Sequence, residues 1–446
     1  MPSAEVVTLH VSDNAHPQVI DLRQKLHEVP GVMYEEYEAN RIVQSTLKSI
    51  GIKEKNIQSG LGITGVIAHI GFGSLEASKS GSIPTIVLRA DMDALPIQEE
   101  TDVPFKSSVP GVMHACGHDA HTAMLLGAAM ALKAVEDELI QMQAAVRLFF
   151  QPAEEGGAGA KAMIDAGAIE GTSAALMLHV GSSLDVGIFK SGPGLKSASC
   201  YTFHVNVRGV GAHGAMPHMS KDPMAAAGAI ISGVHQIVSR TVDPTDSAVI
   251  SIGYINGGKA FNVIPDEVSF GGTIRLLDMS KFDEFFATLT TRIQGIAEAY
   301  GCTAEVINRD GESRLNSKGE EFTIRAFPPL VNDADVVAMG LDTASKLFGE
   351  QASEERDGFG MGCEDFAFLA NTVPSASFSI GTKHPDHKVG EKTGVQAHNE
   401  LFDIDERALP RGSIFLSTMA LRYLHGASQN VDRSNTCSAD DGSCSS

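Results

Sequence analysis

Apolar residues recur at helical spacing early in the chain, over Val19–Leu26 and Glu38–Ile50. The run Pro84–Arg89 is short, β-branched and continuous, the pattern of a strand buried on both faces. Further on, the spacing predicts an Ala- and Leu-rich helix over His121–Val135 and a second over Gly159–Ala166. Buried strands are predicted over Ala144–Phe150 and Ala174–Val180. Strands alternating with helices in this rhythm imply a sheet covered by helices.

The pattern changes near Gly192. From there it predicts a strand (Cys200–Arg208), a helix (Pro223–Arg240), two strands (Ala248–Tyr254 and Val268–Leu277), a helix (Lys281–Tyr300) and a strand (Cys302–Ile307). The order βαββαβ describes a small ferredoxin-like sandwich, inserted as a unit. The polar, Gly-containing stretch Asn308–Thr323 reads as a loop or linker. The α/β pattern resumes at Asp333–Phe348 and Ala376–Ile380 and closes with a helix over Glu406–Leu424. The expected fold class is therefore α/β, a mixed sheet flanked by helices and interrupted by the insertion. The expected divisions are 1–190 and 309–426 for the first domain, 191–308 for the insertion, and a disordered polar tail over 427–446.

Composition narrows the function. The 446 residues suit two or three domains, and 43% hydrophobic residues supply a sizeable core. The net charge is −21, from 34 Lys+Arg against 55 Asp+Glu, which excludes a general nucleic-acid binder. No apolar run reaches the length of a membrane span, and the first residues lack the pattern of a secretory leader. The six cysteines are scattered without a disulfide framework, so a reducing, cytoplasmic setting is expected.

Four polar clusters follow apolar strands, the place where open α/β sheets put their chemistry. LRADMDALPIQ carries Asp91 and Asp93. MHACGHDAH packs His114, Cys116, His118, Asp119 and His121 into eight residues. That density of sulfur and imidazole suits a zinc, manganese or cobalt site better than a Cys–His nucleophilic pair, because side chains two residues apart are poorly placed to pair. FFQPAEEGGAGA carries Glu154 and Glu155. Adjacent carboxylates repel, so a site must divide their roles, one binding a cation and the other free as a base. LMLHVG ends a strand on His179. Each cluster alone also has a plain reading: a solvated loop, surface charge or a satisfied core histidine.

The ordered set LRADMDALPI, MHACGHDAH, FFQPAEEGGAGA, GAHGAMPH, FNVIPD and CEDFAF, spread from about Val19 to Leu424, resembles the amidohydrolase branch of the dinuclear metallopeptidases. That group also includes aminoacylase and glutamate carboxypeptidase. Within it, the motifs are most similar to those of hippurate hydrolases and indole-3-acetyl-amino-acid hydrolases. The resemblance implies two divalent metal ions, with manganese favoured over zinc or cobalt. The ligands it implies are Cys116, His118, Glu155, His179 and His398, supported by Asp93 and Asp119. Glu154 matches the general base, and His213 a histidine that reaches a partner subunit's site. Asn262, Arg275 and Gly362 match substrate contacts. The implied reaction is hydrolysis of a small N-acyl-L-amino acid by a homodimer joined through the inserted domain, which would also act as a lid. Alternatives are a dipeptidase, an N-acetyl deacetylase, or an inactive homologue that only binds small molecules. The chain departs from the family pattern in Val-Gly-Ser-Ser after His179, in the context of His398, and in Cys363, where a smaller or hydroxyl residue is common.

Overall fold

A computed structural model describes residues 16–437 apart from 357, 359 and 384–395. The amino-terminal segment read for a leader and residues 438–446 of the polar tail lie outside the described residues. The first half of the chain lays down β1 (Ile57–Leu61), β2 (Gly65–Gly71), β3 (Thr85–Asp91), β4 (Ala145–Gln151) and β5 (Ala174–Gly181). After β6 (Phe189–Ser191) and β7 (Gly194–Ser197) the chain enters the insertion. This contains β8 (Ser199–Arg208), β9 (Ala212–His213), β10 (Ala248–Gly257), β11 (Val263–Ile264), β12 (Glu267–Leu276) and β13 (Thr303–Asn308). A hairpin of β14 (Ser313–Leu315) and β15 (Glu321–Thr323) follows, then β16 (Leu330–Asn332), β17 (Ser353–Glu355) and β18 (Ser375–Gly381).

The large sheet has eight strands in the order β1-β2-β4-β3-β5-β18-β6-β17. Its centre, β4-β3-β5-β18, is parallel. Every residue of β3 and β4 is buried, as strands covered on both faces must be. The helix His118–Ala134 is buried from His118 to Leu132. It is apolar almost all round because it lies in the core, packed between the sheet and the helices His16–His27 and Leu409–Cys437. The insertion has a core of its own, built from Phe203, Val205, Ile230, Phe270, Leu289 and Ile293 among others. Its sheet order β10-β12-β8-β13 and its helices Pro223–Arg240 and Phe282–Ala299 are those of a ferredoxin-like sandwich. The two crossings between the units pair with each other, β7 antiparallel to β16.

Two expectations fail. Asn308–Thr323 is not an open linker: β14 and β15 pair, and their turn is tied to the first domain. Asn316 donates to the Tyr34 carbonyl at 3.0 Å, and Phe322 packs against the Tyr34 ring at 4.7 Å. A short polar hairpin carries almost no periodic signal, so composition alone misread it. The last helix also does not stop at Leu424. Its backbone continues to Cys437, through a segment whose polar composition suggested disorder but which contains no proline to end a helix.

Candidate active site

The parallel register sets Asp91, at the end of β3, beside Gln151, at the end of β4. β5 runs alongside, ending at Gly181. The segments leaving these strands therefore gather at one edge of the sheet, where Asp93, Glu154, Glu155 and His179 meet the start of the His118–Ala134 helix. Gly117 makes that start. Its φ is +84°, and a Cβ there would lie 2.4 Å from Val180 Cγ2. Only glycine fits the turn that points Cys116 and His118 into the same space.

The proposed ligands do come together. Donor atoms of Cys116, His118 and His179 lie within 4.8 Å of one another, as do those of Cys116, Glu155 and His398, and those of His118, Glu154 and Glu155. Cys116 Sγ is 3.7 Å from His179 Nε2, and His398 Nε2 is 3.0 Å from Glu155 Oε1. His118 is held through Nδ1 by Asp93 at 3.1 Å, while its buried Nε2 has no hydrogen-bond partner among the described residues. An orphaned buried nitrogen costs about 1–3 kcal/mol, so the site is built for something else to meet it. A mixed sulfur, imidazole and carboxylate set fits borderline divalent cations. The other oxygen of Asp93 accepts the Glu155 N–H at 2.9 Å, so one carboxylate positions two of the candidate ligands. His179 turns its Nε2 inward because its Nδ1 is bonded to the Val180 carbonyl at 2.7 Å. Burial opposes ionisation of the Cys116 thiol, but the charge of the adjacent His118 and hydrogen bonds from His179 and His398 outweigh it and bring the group to about 6. A thiolate, the form that ligates a metal, is thus available at neutral pH.

Behind the ligands lies a buried ionic network. Arg89 reaches Gln151 at 2.8 Å, Asp91 at 2.8 Å, and Glu364 and Asp365 at 2.9 Å each. Gln151 and the Ala160 N–H in turn hold Asp365. Glu154 sits against this acidic group. Burial first, then the charges of Glu364, Glu155 and Asp365, push its carboxyl well above the ordinary range. That suits a group that must take up a proton and give it back. The loop carrying it is strained. Ala153 has φ +54° and is pinned by its N–H to Glu36 at 2.9 Å, and His398 has φ +67° and is pinned to the Ala115 carbonyl at 2.7 Å. Left-handed backbone at non-glycine residues persists only when surrounding bonds hold it.

The remaining candidates divide. Arg275 and Gly362 line the same cavity as Glu154, a space of about 520 Å³ closed on the insertion side by Cys200, Thr202 and Thr273. Arg275 is steadied by the Met361 carbonyl at 2.9 Å. His213 and Asn262 do not line that cavity. They sit on and beside the β9–β11 ribbon of the insertion, both exposed. Asp119 is a correction: it turns away from the ligands, paired with Arg23 at 2.9 Å and His27 at 2.8 Å. Residues 118 and 119 are neighbours on a helix and point in different directions, which spacing in a short motif does not reveal. Sequence reasoning assigned no role to Arg89, His121, Glu364 or Asp365, although all lie in motifs it singled out. His121 accepts the Val180 N–H at Nε2 and bonds Asp91 at Nδ1, so it braces the strand ends rather than facing the cavity.

Known proteins extend this picture. The pattern of Peptidase family M20/M25/M40 matches residues 87–422. An IAA-amino acid hydrolase of Arabidopsis thaliana is 37% identical over 415 residues, covering 93% of this chain and 88% of its own. An N-acetyl-L-cysteine deacetylase of Bacillus subtilis is 37% identical over 407 residues, covering 91% and 88%. The crystal structure of a dinuclear metal binding peptidase of the M20 family from Bacillus subtilis superposes with a TM-score of 0.68 at 31% identity, over 92% of this chain and 98% of that one. With the family pattern spanning most of the chain and the ligand cluster assembled in space, the chain belongs to Peptidase family M20/M25/M40.

Proposed function

We propose that this protein hydrolyses the amide bond of small N-acyl-L-amino acids, releasing a carboxylic acid and a free amino acid. The observation that carries the reading is the cavity itself: Arg275 on one wall faces Glu154 and the ligand cluster on the other. A guanidinium there grips the carboxylate of an acylated amino acid and leaves the amide beside the cluster. Cys116, His118, Glu155, His179 and His398 would hold two divalent cations, manganese favoured by likeness to the family and zinc or cobalt compatible with the thiolate. Bound there, such ions supply Lewis acidity and make water acidic enough to deprotonate near neutral pH. Glu154, its carboxyl raised by burial among acidic neighbours, would be the group that takes up a proton as the amide is attacked and returns it to the leaving nitrogen. Asp93 keeps His118 and Glu155 aimed.

The reading includes a homodimer. β10 is an edge strand of the insertion's sheet, and its outer residues Tyr254 and Ile255 are exposed. Near it Phe261, Val263, Met216 and Met219 also stand in solvent. An unpaired edge and a cluster of exposed apolar residues suit a second copy of the chain. Such pairing is what would bring His213 of one copy to the cavity of the other, as an oxyanion donor. Among the described residues no helix is long and apolar enough to cross a membrane.

The test is amide hydrolysis by metal-stripped protein with Mn²⁺, Zn²⁺ or Co²⁺ restored separately. The substrates are acetyl-, benzoyl- and indole-acetyl-amino acids and simple dipeptides. Metal-restored release of amino acid from the acylated substrates supports the reading; binding without turnover across the panel overturns it. Removing the substrate carboxylate as its amide should lower kcat/KM about 10- to 100-fold, the value of a charged hydrogen bond, and Arg275→Met should abolish that discrimination.

A further inference from the structure

Two cysteines that the reaction does not use face each other across the same cavity. Cys200 is the second residue of β8 in the insertion, and Cys363 sits in the loop of the other domain that leads to Glu364. Their thiols lie within hydrogen-bonding reach of each other. The backbones beside them are already joined, Ala198 N–H to the Gly362 carbonyl at 2.9 Å. Cys200 is pinned on its other side by two backbone bonds with Phe327, at 3.0 and 2.9 Å. Arg275, opposite Cys200 in the sheet register, places Nη1 3.6 Å from Cys363 Sγ. Both side chains are partly accessible from the cavity.

We propose that Cys200 and Cys363 form a redox-modification site, in which a small disulfide from solution oxidises them to a bridge that ties the insertion to the catalytic domain. The Cys200 thiolate attacks one sulfur of the small disulfide, forming a mixed disulfide and expelling one thiol. Cys363 then gives up its proton and attacks the Cys200 sulfur, expelling the second thiol. Two protein thiols lose two electrons, and the small disulfide becomes two thiols. The surroundings favour Cys200 as the attacking sulfur. The hydrogen bond from Cys363 lowers it to about 7, against burial and with help from Arg275, while Cys363 is raised by that same hydrogen bond and by burial. Because the backbones are already side by side, closing the bridge needs little movement. Once closed, it commits to the bridge the sulfur that Arg275 contacts and tethers the loop before Glu364, whose carboxylate is held by Arg89.

The experiment exposes metal-loaded, full-length protein to cystamine. Differential alkylation and peptide mass mapping then follow every cysteine, and turnover is measured before and after a reductant. The expected result is one linked peptide pair containing Cys200 and Cys363, two hydrogens lighter than the reduced pair. Turnover should fall roughly tenfold or more and return on reduction, as expected where a tether stops a gating motion. In Cys200→Ser and in Cys363→Ser the ratio of oxidised to reduced turnover should stay near one, whatever the basal rate of either variant. Free thiols at both positions after treatment overturn the proposal, as does linkage through Cys116, Cys302, Cys437 or Cys444 instead. A bridge that leaves turnover unchanged overturns the regulatory part. The mapping does not depend on the proposed substrate, so failure of that reading and failure of this one are distinguishable.

Discussion

Glu154 and Glu155 are adjacent in the chain, yet they face different partners. Glu155 points to His398 and is oriented by Asp93, while Glu154 is pressed against Glu364 and Asp365. Glu154→Gln keeps the shape and removes the proton carrier. Turnover should fall about 10²- to 10⁴-fold with bound metal near the parent level, measured by steady-state kinetics and elemental analysis. If metal is lost as well, Glu154 is a ligand and not the base. Asp93→Ala acts differently, because it frees both His118 and Glu155. Metal affinity, read by competition with a chelator, should drop about 10- to 100-fold. These roles follow from contacts that residue type alone does not specify.

At the level of elements, the site depends on a turn and a strand end. Gly117→Ala forces a side chain onto Val180 at a positive φ, which should cost about 1–3 kcal/mol in a urea melt and move Cys116 from its partners. Arg89 is the only cation touching Asp91, Glu364 and Asp365 together among the described residues. Arg89→Met leaves those carboxylates buried without it, so stability should fall by about 3–5 kcal/mol, again by denaturant midpoint. A loss below 1 kcal/mol would mean the carboxylates take up protons and need no cation. Strand and helix positions of this domain were legible in the chain because buried strands and core helices are long apolar runs. The β14–β15 hairpin and the extension to Cys437 were not, since neither has an apolar period and each is set by backbone pairing.

For the whole molecule, the question is how the insertion and its neighbours complete the cavity. In a single chain His213 is exposed on the insertion and does not line the cavity of Glu154. The dimer reading therefore makes a sharp prediction. His213→Ala and Glu154→Gln chains should each be nearly inactive, but mixing and reassembling them should restore activity, because one cavity of each hybrid has both groups intact. Recovery toward about a quarter of the parent rate is expected if hybrids form at random and exchange is complete. No recovery, with hybrids verified by native mass spectrometry, removes His213 from the partner's site.

The chain alone determined the fold class and the inserted sandwich, and it named Cys116, His118, Glu155, His179 and His398, whose donor atoms the fold gathers. Apolar periodicity is local, and the motifs follow strands whose carboxyl ends must gather in a parallel sheet. It also carried Cys363 as a departure from the family pattern, but not its neighbour. Tertiary structure decided that Asp119 faces Arg23 and His27, that Asp93 bonds both His118 and the Glu155 N–H, that Arg89 underlies the acidic group, and that Cys200 meets Cys363. These contacts join groups as far as 276 positions apart in the chain, or turn one helix neighbour away from the next. Direction and long-range proximity are properties of packing, and no local pattern of residue types encodes them.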